Sequence, residues 1–475
     1  MTSERPVLIQ GGMGVAVSGW RLARAVARTG QMGVVSGTAL DSVLVRRLQL
    51  GDPGGDIRRA MAAFPIPEAA EAVLERYFIP GGKSPDQPFA KSSMNRDRPS
   101  ARIEDLLVVA NFVEVWLAKE GSTGPVGVNY LEKLQAPTLP SLYGAMLAGV
   151  DYVLMGAGIP RAIPAILNRL AEGLPVDMKL DVKGATRDDD FRAVFDPSRA
   201  MRGTPGTLHR PDFLAIVSSH VLAIMLATKI DVPVDGFIIE GHTAGGHNAP
   251  PRGKLQLNPA GEPVYGDRDR PDLEVMVDLG LPFWMAGGWA RPERVREALE
   301  LGASGVQVGT PFAYCEESDF DEDVKRRVLK SSAEGHARVF TDPVASPSGF
   351  PFKVVETPGT LSDTDVYEQR TRTCTLGYLR HAYRTPEGRM AWRCPAEPVE
   401  EYLRKGGALE DTVGRKCLCQ ALMANVGLPQ LQPDGTPEPL LITSGDAVSE
   451  VARFLAPGAD TYTAAEVVEH LLGRH

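Results

Sequence analysis

Residues 285–310 read MAGGWARPERVREALELGASGVQVGT. An apolar run ends in Gly287-Gly288, a helical pattern opens at Pro292, and a second apolar run ends in Gly309-Thr310. Pro suits the first turn of a helix, where its missing N–H is not needed. Strand, helix and strand in so short a span make a parallel βα unit, since parallel neighbours need a crossover between them. The same rhythm extends back to the N-terminus. Apolar runs fall at 7–10, 33–37, 125–130, 151–156, 213–219 and 236–241, before the pair at 282–288 and 305–309. Helical patterns follow at 18–29, 161–173, 220–229 and 292–302. Eight such runs predict an α/β fold of the closed (β/α)₈ TIM-barrel type rather than an open sheet.

The 475 residues exceed what one barrel needs. The expected organisation is a barrel over 1–318 with insertions at about 51–122, 174–211 and 248–270. A helical and irregular C-terminal region over 319–475 carries four clustered cysteines. The first insertion is polar and Pro-rich with some helix. The second holds VDMKLDV and predicts a strand or hairpin. The third follows the sixth strand directly and is placed to act as a lid.

Hydrophobic residues make up 43% and charged residues 23%, as in globular proteins with a large core. A net charge of −9 argues against a nucleic-acid surface. The N-terminal MTSERPVLIQGG has no basic segment followed by an apolar one, so no secretory leader is expected. Serines and His220 interrupt the longest apolar stretch, 213–230, which reads as strand–turn–helix rather than a membrane span. A cytoplasmic location follows from these features and from the local grouping of the cysteines.

In parallel barrels chemistry collects at the carboxyl ends of the strands. Here those ends read GGMG, SG, GVNY, MGAG, EGHTAGGH, AGGW and VGT. Glycine at such positions lets the backbone approach a flat or phosphorylated ligand. The loops after strands seven and eight commonly bind phosphate, which makes Gly287, Gly288, Gly309 and Thr310 the expected cradle. His247 ends the stretch EGHTAGGH at 240–247; near neutral pH it can take a proton or stabilise a negative charge. His242 is a second pocket residue or a structural member of the loop.

The ordered set IQGGMG, GVNY, EGHTAGGH, AGGWA and GVQVGTPF resembles the nitronate monooxygenase (2-nitropropane dioxygenase) family. FMN-dependent enoyl-acyl-carrier-protein reductases share its signatures. The resemblance spans roughly residues 5–318 and implies a flavoprotein, an FMN-binding barrel. It implies contacts from Gly12 and Met13 beside the flavin ring, and from Asn129, Glu240 and Gly245. Gly287, Gly288, Gln307, Val308, Gly309 and Thr310 match the FMN phosphate site, and His247 matches a substrate-side histidine. The chain departs from the family at three places. Thr243 stands where a Glu is usual, Ser218 and Ser219 stand where a Lys is often found, and Gly11-Gly12 replaces Ala-Pro. Lys179 or Lys183 could supply the missing charge.

The expected activity is an FMN-dependent monooxygenase oxidation of a small carbon acid, such as an alkyl nitronate, with His247 as base or electrostatic partner. An NAD(P)H-dependent FMN reductase of enoyl thioesters or quinones is the alternative. Arg252, Lys254, Arg268 and Arg270 could then meet an acyl carrier or a nucleotide phosphate. A phosphate-binding barrel without flavin, running isomerase or lyase chemistry, is a third reading. The C-terminal Cys374, Cys394, Cys417 and Cys419 suggest a Cys₄ site for Zn or an iron–sulfur cluster, which could serve an electron-transfer partner; buried free thiols are the alternative. At 440–448, LLITSGDAV reads as a strand whose Ser444-Gly445 end either closes on the barrel mouth or makes a plain turn.

Overall fold

The computed structural model describes residues 5–474. The first four residues of the stretch read above for a leader lie outside the described residues. Eight parallel strands close into a barrel: β1 (Leu8–Gln10), β2 (Met32–Ser36), β3 (Val126–Leu131), β4 (Tyr152–Gly156), β5 (Asp212–Val217), β6 (Gly236–Glu240), β7 (Phe283–Ala286) and β8 (Gly305–Val308). Each pairs with its sequence neighbours, and β8 returns to β1 with Leu8 opposite Val306. All eight expected strands are present. They read as apolar runs because both faces are covered, by the barrel interior and by the outer helices. Ile9, Met32, Val34, Leu154, Leu214, Ile238 and Trp284 fill the interior. The buried Trp284 indole N–H donates to Pro6 O at 2.8 Å, which lets a polar atom sit in that core.

Helix α1 (Trp20–Arg28) follows β1. The 51–122 excursion ends in α2 (Ala101–Lys119), buried along most of its length and packed on α3 (Gln135–Leu147). The 174–211 insertion forms an antiparallel pair, Val176–Lys179 with Arg192–Phe195. Its short strand Val182–Lys183 joins a C-terminal hairpin, His381–Arg384 with Met390–Arg393. The stretch at 213–230 is β5 followed by a helix, as expected. Among the described residues no helix is long and apolar enough to cross a membrane.

The C-terminal region is woven into the barrel. Its last helix, α4 (Ala464–Leu472), opens with a reciprocal cap between Thr463 and Glu466 and packs against both α1 and the helix Pro292–Glu300. It therefore occupies the place of the eighth barrel helix, although most of the region separates it from β8. Val448, Val451, Tyr462, Val467, Val468 and Leu471 share one core with the barrel helices.

Candidate active site

The carboxyl ends of the strands surround one large open cavity. Each strand end is shaped by its own sequence. In the GGMG turn, Ser18 Oγ accepts from Met13 N at 2.7 Å, and Ser36 Oγ donates to Gly14 O at 2.7 Å. Gly12 faces Asn129, whose Cβ would lie 2.5 Å from any Cβ at position 12. A side chain at position 12 would therefore collide with the asparagine across the barrel. Asn129 spends its amide hydrogens on Tyr130 O and Leu154 O, which leaves Oδ1 beside Gly12.

Gly287 and Gly288 both adopt left-handed conformations, φ 84° and 77°, which only glycine takes without strain. The Thr243 hydroxyl packs into this turn, 3.0 Å from where a Gly287 Cβ would stand.

Gly12, Met13, Asn129, Glu240, Gly245, Gly287, Gly288, Gln307, Val308, Gly309, Thr310 and His247 all line this cavity. Glu240 ends β6, and its desolvated position pushes the carboxyl up to about 8. The side-chain oxygen Oε1 of Gln307 is buried without a hydrogen-bond partner. His247 Nε2 lies 2.7 Å from Ser346 Oγ, which in turn lies 2.7 Å from Ser348 Oγ. The imidazole meets the edges of Phe352 and Phe350 at ring separations of 4.9 and 6.3 Å. Loss of solvation lowers its pKa to about 4, so it is neutral at physiological pH.

Other expectations are corrected. Of the two readings of His242 the loop member fits, since it stacks on Tyr265 at 4.5 Å and is not among the residues lining the cavity. The 248–270 loop, expected as a lid, contributes nothing to the lining; it folds on itself, with Tyr265 OH donating to Ala249 O. Arg252, Lys254, Arg268 and Arg270 stand apart from the cavity with it. Ser219 caps the helix His220–Thr228 rather than facing a ligand, and Lys179 and Lys183 are exposed away from the mouth. Among the described residues no lysine or arginine lines the cavity.

The roof comes from the C-terminal region. Phe352, Leu379, Leu418, Leu422 and the segment 443–445 close over the mouth. They grip EGHTAGGH from two sides. Lys353 N donates to Gly246 O and Asn248 N to Pro351 O, both at 2.9 Å. On the other side Gly246 N donates to Thr443 Oγ1 at 3.0 Å, and Asp446 N to Thr243 O at 3.1 Å. Nothing in the barrel motifs points to this roof. The one signal was the small-residue end of LLITSGDAV.

The metal expectation is also corrected. Cys374, Cys394, Cys417 and Cys419 do gather around one small void with Leu376, Leu379 and Leu418. Yet among the described residues no group of three or more His, Cys, Asp or Glu side chains is arranged to hold a metal ion. The four pack as apolar side chains. Burial pushes Cys374 up to about 12 and raises Cys394, Cys417 and Cys419. Of the two readings, buried free thiols fit the packing.

Fold and site together define a (β/α)₈ barrel with glycine turns and a histidine lining one roofed cavity. Residues 206–350 match the family model described as nitronate monooxygenase. The chain is 34% identical over 121 residues to the nitronate monooxygenase of Pseudomonas aeruginosa, covering 25% of this chain and 32% of that one. It is 31% identical over 144 residues to a Mycobacterium tuberculosis protein, (3aS,4S,5R,7aS)-5-hydroxy-7a-methyl-1-oxo-octahydro-1H-indene-4-carboxyl-CoA dehydrogenase, covering 30% and 36%. The chain thus spans about a third of the length of the curated relatives it matches. Among solved structures, FabK from Thermotoga maritima aligns over 99% of this chain and 92% of its own, with 17% identity and a TM-score of 0.49. Over residues 206–350 the chain is thus similar to the nitronate monooxygenase family.

Proposed function

We propose that the protein is an FMN-dependent oxidoreductase acting on a small carbon acid. The observation that carries this reading is the convergence of all eight strand ends on one cavity, lined by the glycine turns and by His247. FMN fits the residues present. Gly287 and Gly288 leave backbone bare where a Cβ would fill the cradle, and the unpartnered Gln307 Oε1 waits for an N–H donor such as a flavin ring carries. Gly12, Met13, Asn129, Glu240, Gly245 and the Gln307 side chain would border the ring, and Gly287, Gly288, Val308, Gly309 and Thr310 its phosphate. Bound there, FMN supplies a two-electron acceptor for the substrate carbon.

The residues of the chain orient and desolvate. Glu240, protonated at pH 7, presents an O–H donor rather than a second negative charge. A base with pKa near 4 is poorly matched to removing a carbon-bound proton at neutral pH. His247 therefore suits a substrate that is already anionic, such as a nitronate, with the imidazole as its hydrogen-bonding partner. The substrate's charge would also draw a proton onto the ring. Phe350 and Phe352 keep water from that edge.

The apolar roof of Phe352, Leu379, Leu418 and Leu422 favours a second reading, in which the substrate carries a hydrocarbon arm, as an enoyl thioester does, and NAD(P)H supplies the electrons.

One anaerobic titration tests both. The purified protein should show the visible bands of a flavin, bleached by a nitronate on the first reading and by NAD(P)H on the second. His247→Asn should keep the flavin and lower turnover by about tenfold or more, as expected for a lost hydrogen bond to a charged group. A colourless protein that cannot be reconstituted with FMN would sink both readings and leave isomerase or lyase chemistry.

A further inference from the structure

Segment 443–446 lies far from β8 in sequence, beyond the barrel motifs and outside the matched residues 206–350. Nevertheless Thr443, Ser444 and Gly445 line the same cavity as Gly287, Gly288, Gly309 and Thr310. The seam is tight: a Cβ on Gly245 would stand 2.7 Å from Gly445 N and 2.8 Å from Ser444 C. A Cβ on Gly445 would stand 2.8 Å from Thr243 O and 3.1 Å from Thr310 Oγ1. Gly245 and Gly445 both have φ outside the left-handed region, so close approach of two backbones explains them.

The hydrogen bonds at the seam determine which protons remain. Gly445 N donates to Thr310 Oγ1 at 3.0 Å, so the Thr310 hydroxyl keeps its own hydrogen to give. Buried Tyr314 donates its O–H to Ser444 Oγ at 3.0 Å, which likewise leaves the Ser444 hydrogen free. Ser444 is 4% exposed. Thr443 Oγ1 likewise accepts a backbone N–H, from Gly246 at 3.0 Å. The nearby carboxylate of Asp446 is paired with Lys353 Nζ at 2.6 Å, which offsets a charge that would repel an anion.

We propose that the C-terminal segment completes the phosphate cradle, with Ser444 as a phosphate ligand alongside Thr310 and the glycine turns. This rests on the FMN reading above. Two hydroxyl donors held by neighbouring donors, and bare backbone on three loops, suit a phosphate monoester. The C-terminal region is then part of the cofactor site and not only a roof over the substrate.

The test compares FMN with riboflavin, which lacks the phosphate, by quenching of flavin fluorescence on apoprotein. Wild type should prefer FMN. Ser444→Ala should lose about tenfold or more of FMN affinity, as expected for a hydrogen bond to a charged group, with riboflavin affinity unchanged. Retained riboflavin binding shows that the fold is intact. Ser444→Cys, which keeps the shape with a weaker donor, should shift in the same direction and serves if the alanine variant does not fold. An unchanged FMN-to-riboflavin ratio in the variants, or an equal loss of both ligands, overturns the proposal while leaving the flavin reading standing. Wild type binding neither flavin overturns the flavin reading itself, and this proposal with it.

Discussion

Two side chains of one short stretch, Glu240 and His247, titrate in opposite senses from the same cause. Desolvation disfavours charge, so the carboxyl rises to about 8 and the imidazole falls to about 4. At pH 7 both are neutral. The linkage to stability follows from the direction of each shift. Neutral Glu240 contributes stability that is fully present below about 4.5 and lost as pH rises through about 8. Neutral His247 contributes stability present above about 6.5 and lost as pH falls through about 4. Glu240→Gln cannot ionise, so apo wild type should lose stability against it between pH 4.5 and 8, by at most about 1.4 kcal/mol per pH unit. Urea unfolding at pH 5, 7 and 9 measures the gap; curves that stay parallel would show that Glu240 is not desolvated as described. Sequence alone marked both residues, because the strand-end motif is local. It did not reveal their protonation states, which depend on walls built from distant segments. Thr243 is similar: its departure from the family motif was legible, but the Gly287 turn it packs against appeared only in three dimensions.

At the scale of elements, the strands were legible because a doubly covered strand must be apolar on both faces, and turn residues punctuate it. The antiparallel pair in the 174–211 insertion was legible through the alternation in VDMKLDV, buried at Val176 and Met178 and exposed at Asp177 and Lys179. What the pattern could not give was partnership between remote elements, such as Val182–Lys183 joining a hairpin at 381–393, or the cover that 248–270 was expected to provide. The four cysteines belong here too, since their spacing brings them together without fixing whether ligands or packing results. The crossing of α2 and α3 is a further case. Gly144 has ordinary helical geometry, yet a Cβ there would overlap the Val108 carbonyl of α2. Gly144→Ala should gain helix propensity and still lose about 1–3 kcal/mol, because the helices must separate. A guanidinium melt compares it with wild type, and a stabilised variant would refute the crossing.

At the scale of the molecule, the question is whether the barrel can stand without its C-terminal region. The sequence rhythm stops near residue 313, which suggested a division near 318. The packing argues for one interlocked body, because α4 fills the eighth helical position against α1 and the helix Pro292–Glu300. Val467, Val468 and Leu471 of α4 are each at most 2% exposed. Burying each such side chain is worth about 1.5–3 kcal/mol. Three together approach the whole stability of a typical domain, about 5–15 kcal/mol. A chain ending at 318 would uncover this face and, with it, the roof that grips EGHTAGGH. Such a chain should therefore be insoluble or molten, and even a chain ending at 460, which lacks only the last helix, should melt well below full length. Soluble yield and circular-dichroism melts decide. A cooperatively folding 1–318 chain would mean that the barrel closes without its eighth helix, and that the C-terminal region is an attachment to the fold rather than part of it.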